Sequence, residues 1–185
     1  MQITGTPLRT VRPKMLRGVY ANPEKELVRL RDAGKLTQVA RGTYIAKPDD
    51  IAPDRPWKLR FEAAALAYAT AIYGDRVPVL FGLSAARVHH AIPRAIGVVF
   101  TVRDPATVDA RPERTELGPA MVASPEQALI DLIRWPDLGG MPAEARAAVA
   151  PLWDRVDRER LTRLLGQAPA TVRRTVNAAM GGRNG

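Results

Sequence analysis

The segment from residue 22 to residue 48 contains the strongest local folding signals of the chain. An asparagine followed by a proline favours the first positions of a helix, and the residues after them predict the helix Asn22–Gly34. Leu27 and Leu30 are three residues apart, so they lie on one face of that helix, which we expect to be buried. A glycine at the end suits the left-handed conformation that terminates many helices. This segment therefore predicts a short amphipathic helix with defined ends.

A β-hairpin is predicted directly after that helix. Residues 36–40 and 43–45 contain several residues that favour strands, and the pair Arg41-Gly42 separates them. A connection of two residues that includes glycine is typical of a tight hairpin turn. The predicted hairpin therefore carries an arginine at its tip.

Charge is distributed unevenly along the chain, whose net charge is +9. Residues 1–47 contain ten basic and three acidic side chains, a net charge of +7, whereas residues 48–185 contain 18 basic and 16 acidic side chains, a net charge of +2. Such an asymmetry favours a polyanionic partner for the N-terminal quarter. A solvated basic face without a partner explains the charge alone equally well.

The composition changes after the hairpin. Residues 48–56 contain three prolines and three aspartates, which is typical of a stiff linker. We therefore divide the chain into a unit of residues 1–48, a linker of residues 49–56 and a domain of residues 57–185. The expected fold class is α+β, with a small N-terminal winged-helix-like unit followed by a larger mixed α/β domain that has a helical C-terminus.

The domain of residues 57–185 is predicted to mix helices and strands and to end in helices. Ser124 opens a capping-box pattern, and Ser84 also precedes a helical stretch, so both serines are expected to be N-caps. The predicted helices are Trp57–Tyr73, Ala85–Ala91, Pro125–Arg134, Pro142–Leu152, Asp157–Leu165 and Ala170–Met180. The predicted strands are 77–82, 96–102 and one or two strands within 115–122.

We find no convincing catalytic or metal-binding pattern in the sequence. The chain has no cysteine, and its two histidines, His89 and His90, are adjacent, so they point to different faces of a helix. Phosphate-binding loops, zinc-protease motifs and nucleophile elbows do not occur. We therefore expect no metal, no cofactor and no enzymatic activity. An enzyme with an unrecognised site in the C-terminal body is kept as a distant alternative.

The sequence also predicts a cytoplasmic protein without membrane contact. No apolar run approaches the roughly 20 residues of a membrane-spanning helix. The N-terminal residues lack the apolar segment of a signal peptide.

A helix followed by a basic hairpin has a known use in DNA recognition. In a winged helix, one helix enters the major groove, and the hairpin follows the backbone or the minor groove. Lys25 and Arg29 are one turn apart and are expected to face the groove together. The predicted DNA-binding residues are Arg9, Arg12, Lys14, Arg17, Lys25, Arg29, Gln38 and Arg41. The alternative is a helix and hairpin that only pack on the larger domain.

Three stretches resemble AbiEi-type antitoxins of type IV toxin–antitoxin systems. The stretch LVRLRDAGKLTQVARGTYI resembles the helix and wing of that family. The stretch FGLSAARVHHAIP is similar to its Ser-Ala-Ala-x-x-His segment, and VASPEQALIDLIRWP resembles its Ser-Pro-Glu-x-x-Leu-x-Asp helix start. Together they cover about a quarter of the chain, in the order that the family shows.

The resemblance implies an N-terminal winged helix-turn-helix and a C-terminal antitoxin domain. It implies a cognate nucleotidyltransferase-like toxin as partner, and promoter DNA that the protein binds in order to repress its own transcription. The sequence departs from the family before Pro13, where no first helix is predicted. An antitoxin that acts on its toxin without binding DNA is therefore the alternative, and the oligomeric state, monomer or homodimer, stays open.

Overall fold

The computed structural model describes residues 5–52, 54–93, 101–102 and 105–181. Helices and strands are mixed along the chain, and its described C-terminal part is helical, which confirms the expected class. The chain separates into two compact units. The first unit comprises Met1–Pro78 and Pro112–Ala120, and the second comprises Val79–Arg111 and Met121–Gly185.

The first unit contains a three-stranded antiparallel sheet. Its strands are β1 Thr10–Val11, β2 Leu36–Ala40 and β3 Thr43–Ala46, in the order β1-β3-β2. The predicted hairpin is formed by β2 and β3, which pair through Leu36 and Ala46 at its open end. Its turn lies at Arg41 and Gly42, where Gly42 adopts a φ of +68°, a conformation that glycine tolerates without strain.

The helix predicted before this hairpin is α1, Pro23–Asp32. The side chain of Asn22 accepts a hydrogen bond from the backbone N–H of Lys25 at 3.0 Å, so the expected N-cap is confirmed. Leu27 and Leu30 are buried, as their spacing predicted. The apolar cluster that contains them also includes Val11, Leu16, Leu36, Tyr44 and Ala46.

Helix α2, Phe61–Tyr73, also belongs to the first unit. It begins later than the predicted start at Trp57, because the residue before it, Arg60, keeps an extended backbone with φ −66° and ψ 142°. Helix α2 packs against all three strands of the sheet and against the 3-10 turn Pro7–Arg9. The sequence-based division assigned this helix to the second domain, whereas in the structure it groups with the N-terminal sheet.

The remaining elements mix strands and helices and end in four consecutive helices. They are β4 Val79–Leu80, α3 Gly82–Val88, β5 Thr101–Val102, β6 Ala110–Thr115, β7 Gly118–Ala123, α4 Pro125–Arg134, α5 Pro142–Trp153, α6 Arg158–Gln167 and α7 Ala170–Gly181. Their sheet has the strand order β5-β4-β7-β6. Strand β4 pairs antiparallel with β5 and parallel with β7.

Helix α4 is the helix around which the second unit packs. It contacts α3, α5, α6 and α7, and its residues Ala128 and Leu129 are fully buried. Ser124 accepts a hydrogen bond from the backbone N–H of Gln127 at 3.2 Å, which confirms the predicted cap. The bounds of α4 are those predicted from the sequence.

The prediction for Ser84 was wrong. Helix α3 begins at Gly82, so Ser84 lies inside the helix, where it is fully buried and cannot be the N-cap. The backbone is extended at Phe81 and turns at Gly82, whose φ of +55° favours glycine. Of the predicted strand 96–102, residues 96–100 lie outside the described residues, and residues 101–102 form β5.

Candidate nucleic-acid interface

Helix α1 carries no net charge, although it lies in the most basic part of the chain. Its charged residues are Lys25, Arg29 and Arg31 and the acids Glu24, Glu26 and Asp32. The net +7 of residues 1–47 therefore comes entirely from the segments that flank this helix. Because long-range attraction to a polyanion follows net charge, the flanking segments supply it rather than α1.

Arg29 is exposed, but a carboxylate of its own helix engages it. Its Nε and Nη2 atoms donate to the two carboxylate oxygens of Glu26 at 2.9 and 2.6 Å, in a forked geometry. The hydrogen bonds from Arg29 lower the pKa of Glu26, and the same bonds raise the pKa of Arg29. A phosphate that binds Arg29 must therefore compete with Glu26 or bind beside it.

Arg31, which is not among the predicted DNA-binding residues, links α1 to the hairpin. Its Nη1 donates to Oε1 of Gln38 at 3.0 Å, and its Nε donates to Oδ1 of Asp32 at 2.9 Å. The side chain of Gln38 in turn donates to the carbonyl of Ala40 at 3.4 Å. The structure therefore brings Gln38, a predicted DNA contact, next to the C-terminal end of α1. No local signal in the sequence indicates this contact between helix and strand.

Two of the predicted DNA-binding arginines make contacts inside the first unit. The Nε atom of Arg9 donates to the carbonyl of Ala46 at 3.1 Å, and Nη2 lies 3.2 Å from a carboxylate oxygen of Asp49. Only 16% of the Arg9 side chain is exposed. The Nη1 atom of Arg12 donates to the carbonyl of Ala71, near the C-terminal end of α2, at 3.0 Å. The guanidinium group of Arg9 thus contacts the end of β3, and that of Arg12 contacts the end of α2. A role of these two arginines in DNA binding stays a prediction.

Four of the predicted residues are exposed cations without such engagement: Lys14, Arg17, Lys25 and Arg41. None of the four forms an ion pair with another residue that the structure describes. They lie in and after the 3-10 turn Pro13–Leu16, in the first turn of α1, and at the tip of the hairpin. The exposed positive charge of the predicted set is therefore carried by segments before, within and after α1.

Apolar side chains are exposed close to these cations in the sequence. Val19, Tyr20 and Val28 are 52, 40 and 37% exposed. In its ionised form, Tyr20 makes a smaller coulombic contribution to the raised pKa of Arg29, after the larger effect of Glu26. An exposed aromatic ring on a basic unit can contact a nucleotide sugar or base. Tyr20 lies just before the helix and outside any periodic pattern, so no sequence signal marks it as a contact residue.

The other two stretches that resemble the antitoxin family meet in the interior of the second unit. The backbone N–H of Gly82 donates to Oδ2 of Asp131 at 3.4 Å, and Nε2 of His89 lies 2.7 Å from the carbonyl oxygen of Ala123. Asp131, His89 and Ala123 are buried, and so is Gly82 at the start of α3. The two stretches therefore hold α3, β7 and α4 together.

A charged cluster next to the start of α4 connects this helix to α6. Arg160 donates to both carboxylate oxygens of Asp109 at 3.0 and 2.8 Å, and Oγ of Ser124 donates to Asp109 at 2.5 Å. Glu126 accepts a hydrogen bond from the backbone N–H of Asp157 at 2.7 Å. Burial acts to raise the pKa of Asp109, but the hydrogen bonds from Arg160 and Ser124 outweigh it and lower the pKa. These carboxylates are engaged in structural contacts.

The described residues contain no group of three or more His, Cys, Asp or Glu side chains that could hold a metal ion. Among the helices of those residues, none combines the length and the apolar character that crossing a bilayer requires.

No family of known proteins and no curated protein matches this sequence. Among solved structures, the chain is similar to the crystal structure of the RV2827C protein from Mycobacterium tuberculosis, with a TM-score of 0.57 and 21% sequence identity. The similarity covers 88% of this chain and 68% of that chain. At this level of identity, the similarity shows a shared fold alone.

The buried carboxyl group of Asp131 should make the stability of the protein depend on pH. Burial raises its pKa to about 6, whereas an unfolded aspartate titrates near pH ~3.9. The folded state thus binds the proton of Asp131 more tightly than the unfolded state does. Protonated Asp131 therefore contributes its full stabilisation below about pH 4, and this stabilisation is lost as the pH rises through about 6. Asp131→Asn removes this titration, and the stability of the variant relative to the wild type should rise by on the order of 2 kcal/mol between pH ~4 and pH ~7. Urea unfolding at both pH values measures the change.

Asp137→Asn is the matched control, because Asp137 is exposed. Its stability relative to the wild type should change little over the same pH range. A relative stability of Asp131→Asn that does not depend on pH would contradict the burial of an ionisable carboxyl group at this position.

Proposed function

We propose that this chain is the antitoxin of a type IV-like toxin–antitoxin pair, and that it represses its own promoter by binding DNA through its first unit. The observation that carries the DNA-binding part is the set of exposed cations Lys14, Arg17, Lys25 and Arg41 on the unit that contains a capped helix and a hairpin. Three of the four flank α1, where the excess charge lies.

The order of elements in the first unit supports a winged-helix reading. Helix α1 is followed directly by the β2–β3 hairpin, which is the order of a recognition helix and its wing. No regular helix precedes β1 within the described residues, but α2 packs against all three strands. We propose that α2 provides the support that a preceding helix provides in other winged helices.

The proposed contacts divide into two kinds. Lys25, in the first turn of α1, is the proposed contact in the groove. Lys14, Arg17 and Arg41 are the proposed contacts to phosphates, which supply affinity and salt dependence but no sequence information. Arg29 can join them only if it exchanges Glu26 for a phosphate.

We propose that the second unit is the part of the chain that acts on the toxin. The support is that two of the three stretches that resemble the family lie in this unit and contact each other, through Asp131 and Gly82 and through His89 and Ala123. In this proposal the second unit counteracts a nucleotidyltransferase-like toxin, while the first unit binds DNA.

A second candidate is an antitoxin that acts on its toxin without binding DNA. The neutrality of α1 favours it, because a recognition helix that binds DNA usually presents unpaired cations. The ion pair of Arg29 with Glu26 favours it for the same reason. A mobility-shift assay of the wild-type protein on the promoter at low salt separates the two candidates, since only the first predicts binding.

Combined replacement of the proposed phosphate contacts tests the DNA-binding surface. The triple variant Lys14→Ala, Arg17→Ala and Arg41→Ala should bind the promoter duplex more weakly than the wild type. The loss of three phosphate contacts should reduce the slope of log affinity against log salt by about 3. A mobility-shift assay from about 50 to about 200 mM salt measures both quantities.

The matched control removes the same charge from the second unit. Arg158, Arg163 and Arg174 are exposed on α6 and α7, and their combined replacement by alanine should leave the salt slope unchanged. Equal losses in the two triple variants would mean that net charge alone governs binding, which would contradict a specific surface on the first unit.

Glu26→Gln should strengthen DNA binding. The substitution removes the carboxylate that engages Arg29, so the guanidinium group becomes available for one further phosphate contact. The salt slope should then steepen by about 0.9. Glu24→Gln is the control, because it removes the same charge from the same helix without releasing Arg29. Equal effects of the two substitutions would contradict competition between Glu26 and phosphate.

A further inference from the structure

Helix α2 has an exposed face without a charged residue. Phe61, Tyr68 and Ile72 on this face are 52, 41 and 44% exposed, and the half-buried residues Ala64, Ala65 and Ala71 lie between them. All of these side chains are apolar except for the hydroxyl group of the tyrosine. We call Phe61, Ala65, Tyr68 and Ile72 the α2 seam.

The opposite face of α2 is already buried in the first unit. Leu66 and Ala67 are 1 and 0% exposed, and α2 packs against β1, β2 and β3. The polar residues Glu62 and Thr70 of α2 are also buried, so its exposed face is no more polar than its buried one. A helix of this kind is normally covered on both faces. A continuous exposed apolar stripe of this kind marks a surface that binds another protein element.

The spacing of the residues in the α2 seam indicates that the element that covers it is a helix. Its four residues are separated by four, three and four positions, which is the alternation of the core positions in a coiled coil. Side chains in this pattern insert between those of a second helix at a small crossing angle. A strand or an irregular loop does not match that pattern.

The α2 seam is complementary to itself when two copies run antiparallel. Around the midpoint of the helix, Phe61 of one copy then faces Ile72 of the other, and Ala65 faces Tyr68. Each large aromatic ring thus meets a smaller side chain, which allows interdigitation at close distance. In a parallel pair, Ala65 would face Ala65 and leave a gap, while Tyr68 would face Tyr68.

The charges at the two ends of α2 favour the same orientation. Lys58 and Arg60 are exposed just before the helix, and Asp75 is exposed just after it. Arg76 follows Asp75 and balances its charge, so the C-terminal end of α2 has no net charge. A parallel pair would bring Lys58 and Arg60 of both copies together, whereas an antiparallel pair keeps these cations apart. Antiparallel packing also places opposite ends of the two helix dipoles side by side.

We propose that a second copy of this chain docks on the α2 seam, so that two α2 helices pack antiparallel in a homodimer. A helix of 13 residues spans only about 20 Å. The interface is therefore small, and the dimer should form and dissociate within the micromolar concentration range. This proposal does not depend on DNA binding or on a toxin.

Sedimentation velocity of the full chain tests the dimer. Over rising micromolar concentrations, the wild type should shift from monomer toward dimer, whereas Tyr68→Arg should stay monomeric. Val19→Arg is the control, because Val19 is an exposed apolar residue of the same unit outside α2. A wild type that stays monomeric, a Tyr68→Arg variant that still dimerises, or an equal loss in both variants would overturn the proposal.

Cross-linking tests the orientation and does not rely on Tyr68. The chain contains no cysteine, so a thiol introduced by substitution is unique. A mixture of Phe61→Cys and Ile72→Cys should be joined by a short bis-maleimide, because these positions face each other. Neither variant alone should be joined, since identical positions lie about 16 Å apart along an antiparallel pair. Efficient cross-linking of Phe61→Cys alone, or none in the mixture, would overturn the antiparallel seam.

Discussion

The burial of Leu27 and Leu30 determines what the first unit can present to a partner. These two side chains pack in one cluster with Leu36 and Tyr44 of the hairpin, so the opposite face of α1 points outward. That face carries Lys25, but the helix as a whole has as many carboxylates as cations. The positive charge that remains for a polyanion therefore lies in the turn before the helix and at the tip of the hairpin after it.

The sequence predicted those parts of the fold that depend on local interactions. Asn22 and Ser124 cap their helices through backbone N–H groups three residues further along, and such contacts are visible in the sequence. Ser84 has the same local appearance but lies inside α3, because the helix starts at Gly82, three residues before the predicted start at Ala85. The packing of α2 on the N-terminal sheet is a long-range contact, and no local pattern indicated it.

The sequence shows which charged residues the first unit contains, but it does not show which of their side chains are engaged in contacts within the fold. Arg9 and Arg12 resemble Lys14 and Arg17 in the sequence, yet their hydrogen-bond acceptors are carbonyl groups 37 and 59 residues away. Their packing therefore depends on the complete fold of the first unit. The contact of Arg31 with Gln38 is of the same kind, since it requires α1 and β2 to be in place. Exposure alone does not identify available charge either, because Arg29 is exposed and yet is engaged by Glu26.

Hydrogen–deuterium exchange of the full chain, with and without the promoter duplex, tests most directly whether the first unit is the DNA-binding surface. Amide groups that become occluded by a bound duplex exchange more slowly than in the free protein. We expect slower exchange for residues 14–25 and 38–43, and unchanged exchange in α4 to α7. Slower exchange confined to the second unit, or no change in the first unit at low salt, would contradict the assignment of DNA binding to the segments around α1.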